Sequence, residues 1–413
     1  MSPFVPETWP FSSEMLPEEA CVIGGSVRDQ LLSRQASYLD LDFVLPKDTI
    51  KIASRIARAC DAGFVVLDAE RQIARVVFDQ VTVDFAQQQG ESLEADLRRR
   101  DFTINAIAYH PKTQAIIDPL NGQADLAAKT IRMVSAQNLA EDPLRIMRAY
   151  RQAAQLGFSL STDTQVAIAQ LAPQLQTVSV ERIRSELDAL LSVAAGSNQL
   201  AHILEGNLLQ FCLPYFTEQS IEQIAAIDRA IEQLQRTMPT YADRLHSWPK
   251  TVPAGTYLSW IKVAKLSRLV CADSAIARDE LKALKYSNRE AQTVLTLLKA
   301  QGDIEAMRDE VFGRSQQFFL FKLAGENFPA VSLLALAQGV DLSVLQPMVL
   351  RFLDPQDEVA HSRALITGRA LMKQFGIEPG PDVGKWLKAV ERVQAKGEVR
   401  SQEEAITWIK QHR

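Results

Sequence analysis

Thiol and imidazole groups are scarce in this chain of 413 residues: Cys21, Cys60, Cys212 and Cys271 stand far apart with no CxxC pair, and five histidines form no HxxxH. That scarcity excludes a disulfide framework and a structural zinc site as organising features. No run approaches 18 uninterrupted apolar residues, and the N-terminal MSPFVPETWPFSSEM has no basic patch leading into an apolar stretch. Neither a membrane span nor a secretory leader is therefore expected. Basic charge is not in excess either: the net charge is −5, which argues against wholesale coating of nucleic acid while leaving room for a local basic surface. Fixed-period repeats and low-complexity blocks are missing as well. What remains is 47% hydrophobic and 23% charged, ordinary for a folded chain. We read a reduced, cytoplasmic protein of about two to four domains, with no membrane and no evident protein partner.

The first third carries strand-like segments, CVIGG, YLDLDFVL, FVVLD, ARVVFD, VTVDFA, INAIAYH and AIIDPL, short and rich in β-branched or aromatic residues. VRDQLLSR and DTIKIASRIARAC have helical spacing between them. A mixed sheet with helices is expected to end near Arg132. After Val134 the strand pattern stops, and LRIMRAYRQAAQLGF, DTQVAIAQLAPQLQ, VERIRSELDALLSV and QLAHILEGNLLQF read as amphipathic helices. The polar, proline-bearing TMPTYADRLHSWPKTVPAG reads as a connection within an otherwise helical remainder.

Within CVIGGSVRDQLLSRQASYLDLDF, a glycine pair, Arg28 and two alternating aspartates stand close together. Strand alternation in YLDLDFVL puts Leu39, Leu41, Phe43 and Leu45 on one face and Asp40 and Asp42 on the other. Two carboxylates about 7 Å apart can share divalent ions; taken alone, such a pair is more often two solvated charges on an edge strand. Gly24 and Gly25 end a strand and open a helix, a place where backbone amides and Arg28 can face phosphate, with a tight turn braced by a surface Arg–Asp pair as the bland alternative. The segment lacks the GKS or GKT of a P-loop and the third glycine of a dinucleotide fingerprint. Asp84 in VTVDFA is a third acidic candidate that a neighbouring strand would bring beside the pair. In LRRRDFTINAIAY, Arg98, Arg99 and Arg100 precede Asp101 and Asn105: arginine suits triphosphate, a carboxylate and an amide suit ribose hydroxyls, and a solvated charge run is the plainer reading. In AEDPLRIMRAYR, Asp142 before Pro143 is placed as a helix N-cap, Arg145, Arg148 and Arg151 recur every three residues on one broad face, and Glu141 is placed to orient one of them.

Taken in order, GGSVRD with DLD, RRDFTINAIA, IIDPLNGQADL, EDPLRIMR and VERIRSEL resemble the motifs of the class II tRNA nucleotidyltransferases, the family of CCA-adding enzymes and bacterial poly(A) polymerases. The resemblance covers about residues 20–190, and LITGRALMKQFGIEPGPDVGKWLKAVERVQAKGEV is similar to the C-terminal region of longer members. It implies an α+β nucleotidyltransferase head at 1–133, then an all-α neck at 134–195, body at 196–290 and tail at 291–413, with tRNA lying along the helical domains. By the same resemblance, Asp40 and Asp42 bind Mg2+; Asp84, placed by strand alternation alone, is expected beside them as a third catalytic acid, with an exposed strand aspartate as the even alternative. Gly24, Gly25, Arg28 and Arg100 surround the triphosphate, Asp101 and Asn105 contact ribose, and Asp142, Arg145, Arg148 and Arg151, with Glu141, form the nucleotide-selecting helix. One departure bears on specificity: only residues 85–97, FAQQQGESLEADL, separate Asp84 from Arg98, where members that add the terminal adenosine carry a markedly longer flexible segment. The expected reaction is transfer of CMP from CTP to positions 74 and 75 of tRNA. Complete CCA addition, with ATP as a further substrate, comes second, ahead of A addition, poly(A) synthesis and a catalytically silent tRNA-binding relative.

Overall fold

The computed structural model describes residues 2–34, 39–79, 81–194, 196–248 and 258–413, and the chain forms two compact units, Met1–Glu186 and Leu187–Arg413. In the first, Cys21–Ile23 (β1) turns at Gly24 into the helix Gly25–Leu31 (α1), and Leu39–Leu45 (β2) is followed by Thr49–Ala59 (α2). Gly63–Asp68 (β3), Ile73–Val77 (β4) and Val81–Gln87 (β5) come next, then the short helix Leu93–Leu97 (α3), Ala108–His110 (β6) and Ala115–Ile117 (β7). The seven strands lie in the order β3-β4-β5-β2-β1-β6-β7; β2 and β5 are parallel and the other neighbours antiparallel. Every strand-like segment of the sequence contributes a strand, although INAIAYH opens as a 3-10 turn at Thr103–Asn105.

Alternation gives the central strands two unlike faces. Leu41, Phe43 and Leu45 of β2 and Val81, Val83 and Phe85 of β5 are buried on the side where α2 packs with Ala53, Ile56 and Ala57. Trp9 and Phe11 of the N-terminal segment join this core: Phe43 stacks on Phe85 at 5.4 Å and Trp9 meets Phe43 edge-on at 5.1 Å. Each aromatic side chain buried in this way stabilises by roughly 1.5–3 kcal/mol. The polar face of β2 and β5 therefore rests on a tightly packed floor.

Past β7 the unit turns helical, through Gly122–Ala127 (α4), Ala136–Glu141 (α5), Leu144–Leu156 (α6), Thr162–Leu171 (α7) and Val180–Leu191 (α8), within which the division between the units falls. The all-helical expectation after Val134 needs one correction, because Thr130–Ile131 (β8) and Ser159–Leu160 (β9) pair in parallel. Strands of two residues carry no alternation to read.

The second unit, among its described residues, contains helices and no strand. The segment read as a connection is corrected in part: Pro239–Leu245 is a helix that opens on its proline and buries Tyr241, Ala242 and Leu245, and Tyr241 shares a 2.7 Å hydrogen bond with Ser332. Residues 249–255 of that segment lie outside the described residues. The stretch Arg314–Ala337 is long and apolar enough by composition to cross a membrane, but 67% of its most apolar window is buried inside the fold, and Phe328–Leu336 is core. Two lysines of the helix Trp260–Leu266, Lys262 and Lys265, are fully buried. Lys262 pairs with Glu290 at 2.6 Å and Asp188 at 3.3 Å, and Lys265 with Asp228 at 2.6 Å.

Candidate active site

The parallel register sets Asp42 opposite Asp84 and Asp40 opposite Thr82, so all three aspartates share the polar face, as the alternation requires. Crowding and burial act together on Asp40 and Asp42. Burial raises the pKa of Asp40, helped by Asp84; Asp42, half-buried, is pushed up to about 7 by desolvation first and then by Asp40 and Asp84. The antiparallel strand β4 adds Arg75 opposite Asp84, and its Nε and Nη2 donate to the two carboxylate oxygens at 2.7 and 2.8 Å. Asp84 is therefore committed to a guanidinium. Arg75 is missing from the sequence reading, although the alternation that buries Ala74 and Val76 in ARVVFD leaves it on the opposite face.

Among the described residues no group of three His, Cys, Asp or Glu side chains is set to hold a metal ion. The chemistry of the donor set nevertheless fits a hard divalent cation, which takes one or two carboxylates and completes its shell with water and phosphate oxygens. Asp40 and Asp42 supply that pair, and carboxylates that resist ionising beside one another are the donors a dication stabilises most.

Gly24 bends the chain over this pair. Its φ of +77° is one that residues with a side chain rarely adopt, and a Cβ there would lie 3.5 Å from Asp42 Oδ2 and 3.6 Å from Arg100 Nη1. Arg100 is braced by Asp96 at 3.3 Å, while its Nε is buried without a partner. Its neighbours divide: Arg98 forms an exposed pair with Glu94 at 2.7 Å, the plain solvated-charge outcome, whereas the carbonyl of Arg99 accepts from Arg145 Nη1 at 2.9 Å. Asn138 of α5 fixes this turn by donating to the carbonyls of Arg98 and Arg100 at 2.8 and 2.7 Å.

Behind the turn, Arg28 donates through Nε to Asp29 at 2.9 Å and through Nη1 to Asn105 Oδ1 at 2.8 Å. Asn105 in turn donates through Nδ2 to Asp101 at 3.0 Å and to Gln152 at 2.9 Å. Burial works to raise Asp101, but Arg148, Asn105 and the Phe102 amide outweigh it and hold the carboxyl below its usual range. Arg148 reaches the other Asp101 oxygen at 2.9 Å and is itself held charged by that carboxylate. Asn105 thus spends its amide inside the protein, framing the site from beneath.

The helix α6 brings the remaining candidates, with two corrections. Asp142 does not cap it: the helix follows Pro143 with no side-chain cap, and the Asp142 carboxylate accepts instead from Arg182 of α8 at 3.0 Å. Glu141 does not orient the arginines; it is exposed and accepts from Gln137 at 3.2 Å, while Glu186 of α8 takes Arg151 at 2.5 Å. The sequence reading missed Arg182, Glu186 and Gln152. Arg182 and Glu186 stand within the motif VERIRSEL without a role having been assigned to them, and Gln152 stands four residues after Arg148 on the same helical face.

Residues 20–132 match the Poly A polymerase head domain family, residues 157–220 the family described as probable RNA and SrmB-binding site of polymerase A, and residues 261–409 the putative tRNA nucleotidyltransferase domain 2 family. The chain is 40% identical to a CC-adding tRNA nucleotidyltransferase of Synechocystis sp. over 97% of its own length and 95% of that protein's. It is 31% identical to a CC-adding tRNA nucleotidyltransferase of Geobacter sulfurreducens, covering 94% and 91% of the two chains. Among solved structures, a CCA-adding enzyme in complex with ATP superposes with a TM-score of 0.71 at 21% identity, over 95% of this chain and 91% of that one, a likeness of fold.

Proposed function

Taking as premise that the chain belongs to the tRNA nucleotidyltransferase family, we propose that it is a cytoplasmic CTP:tRNA cytidylyltransferase that adds C74 and C75 and stops before adenosine. The observation that carries the stop is the short, pinned path from Asp84 to Arg98. Strand β5 continues to Gln87 and α3 begins at Leu93, so five residues remain between them. They are tied down: Gln88 N–H donates to the Leu45 carbonyl at 2.8 Å, Gln89 N–H to Asp96 at 2.9 Å, and Ser92 caps α3. Members that finish with adenosine are expected to use a longer flexible segment here to reshape the pocket for ATP, and this chain has no such lever. The named CC-adding relatives support the same reading.

In this reading Asp40 and Asp42 hold Mg2+ ions, whose chemistry when bound is to acidify the RNA 3′-hydroxyl and to neutralise the departing pyrophosphate. The Gly24–Gly25 turn, Arg28 and Arg100 receive the triphosphate. Asp142 and Arg145 select the base: cytosine offers a donor at N4 beside an acceptor at N3, matched by a carboxylate that accepts and a guanidinium that donates, whereas uracil reverses the order. The attacking oxygen belongs to the RNA, so no covalent enzyme intermediate is required. The test supplies CTP and ATP together with tRNA lacking all three terminal nucleotides. Arrest after C75 is the expected result; efficient extension through A76 would establish complete CCA addition instead.

A further inference from the structure

Gln152 is 2% exposed in the middle of α6, with Ala149 and Ala153 of the same helix also buried. A leucine of similar volume would fill this place without taking an amide out of water, so a buried glutamine here must be matched by the bonds it makes. Its Oε1 accepts from Asn105 Nδ2 at 2.9 Å and from Arg28 Nη1 at 3.4 Å. Arg28 is thereby gripped on two sides, Nε by Asp29 and Nη1 by Asn105 and Gln152. Its remaining nitrogen, Nη2, lies 3.6 Å from where a Cβ on Gly25 would stand, facing the glycine turn.

We infer that Gln152 is a positioning residue of the transfer reaction: it ties α6 to Arg28 and Asn105 so that the open edge of the Arg28 guanidinium meets the triphosphate at the Gly24–Gly25 turn. The inference rests on the reading of that turn as the triphosphate site. A guanidinium orients phosphate oxygens through its fixed fork, so a rotation of the fork loses the alignment even though the charge stays. A helix staple with no part in catalysis would look the same in burial and bonding but different in kinetics.

The experiment measures CMP transfer to tRNA by wild type and by Gln152→Leu, together with inhibition by inorganic pyrophosphate. The expected result is a rise of about tenfold in both the KM for CTP and the inhibition constant of pyrophosphate, with the KM for tRNA and the preference for CTP over UTP unchanged. An unaltered KM for CTP, or an equal rise in the KM for tRNA, would overturn the inference. Gln152→Glu keeps an acceptor for Arg28 and Asn105 and is expected within about threefold of wild type; a loss as large as that of the leucine variant also counts against it. In an Arg28→Lys background, which removes the fork, Gln152→Leu should add nothing further, and additive losses would refute action through Arg28. A raised KM for CTP in Arg28→Lys secures the reading of the turn as the triphosphate site, so a silent Gln152→Leu then sinks this inference alone.

Discussion

At the scale of single residues, Asp42 carries the sharpest consequence. Its carboxyl is raised from 3.8 to about 7, so between those values the folded chain holds the proton more tightly than the unfolded chain does. The contribution of Asp42 to the stability of the metal-free protein should therefore fall as pH rises from about 4 to about 7, and Asp42→Asn should remove that contribution and change the slope accordingly. Thermal melts in chelator at pH 5 and pH 7 check this, and the same slope in both proteins would contradict it. Asp42→Asn should also lower CMP incorporation by more than the roughly 10–100-fold typical of a group that merely supports a metal ligand. The three aspartates were legible in sequence because a period of two assigns a face without knowledge of the neighbours. Arg75 was not, since its role exists only through the pairing of β4 with β5, which no local pattern states.

Among the elements, α5, α6 and α8 show how a local rule is overridden by packing. Asp-Pro ahead of a helix predicts a cap, yet Arg182 of α8 draws the Asp142 carboxylate away. Because that pair is half-exposed, with Arg182 at 52%, its loss should cost at most about 1 kcal/mol. Asp142→Ala is thus expected to fold nearly as well as wild type and to relax the choice of CTP over UTP. Competition between the two nucleotides for incorporation measures it, and an unchanged ratio would remove Asp142 from base selection. The helix Trp260–Leu266 makes the opposite case, reading as an apolar stretch with two lysines that belong outside, whereas Lys265 lies buried on Asp228 and the Val193 carbonyl. Removing one partner of a buried pair costs about 3–5 kcal/mol, while replacing both with apolar groups is often nearly neutral. Lys265→Ala should therefore destabilise the second unit by that amount in urea, and Lys265→Met with Asp228→Leu should recover most of it; equal losses in the two would show that the charges are not coupled.

For the whole molecule, net charge and substrate pull in opposite directions: a chain of charge −5 is proposed to bind a polyanion. Distribution resolves this, because residues 364–413 carry nine Lys and Arg against six Asp and Glu. In the second unit Arg314, Arg363 and Arg400 line one hollow of about 330 Å³ beside Asp357, which is paired with Arg351, and Glu358, leaving three arginines against two carboxylates on its wall. The excess of basic residues was readable from composition, but the hollow was not, since its arginines come from segments far apart in the chain. Cations that replace counterions on RNA make affinity fall with salt, by about a hundredfold between 50 and 200 mM when some four phosphates are neutralised. Steep salt dependence of tRNA binding is thus expected despite the acidic total, and Arg363→Ala with Arg400→Ala should lower the slope of log affinity against log salt by about 1 for each phosphate that is no longer neutralised. Their effect should reach the KM for tRNA and leave the KM for CTP untouched, because CTP is assigned to the first unit. Binding of tRNA that is indifferent to salt, or a double variant with the wild-type slope, would mean that the RNA is held elsewhere.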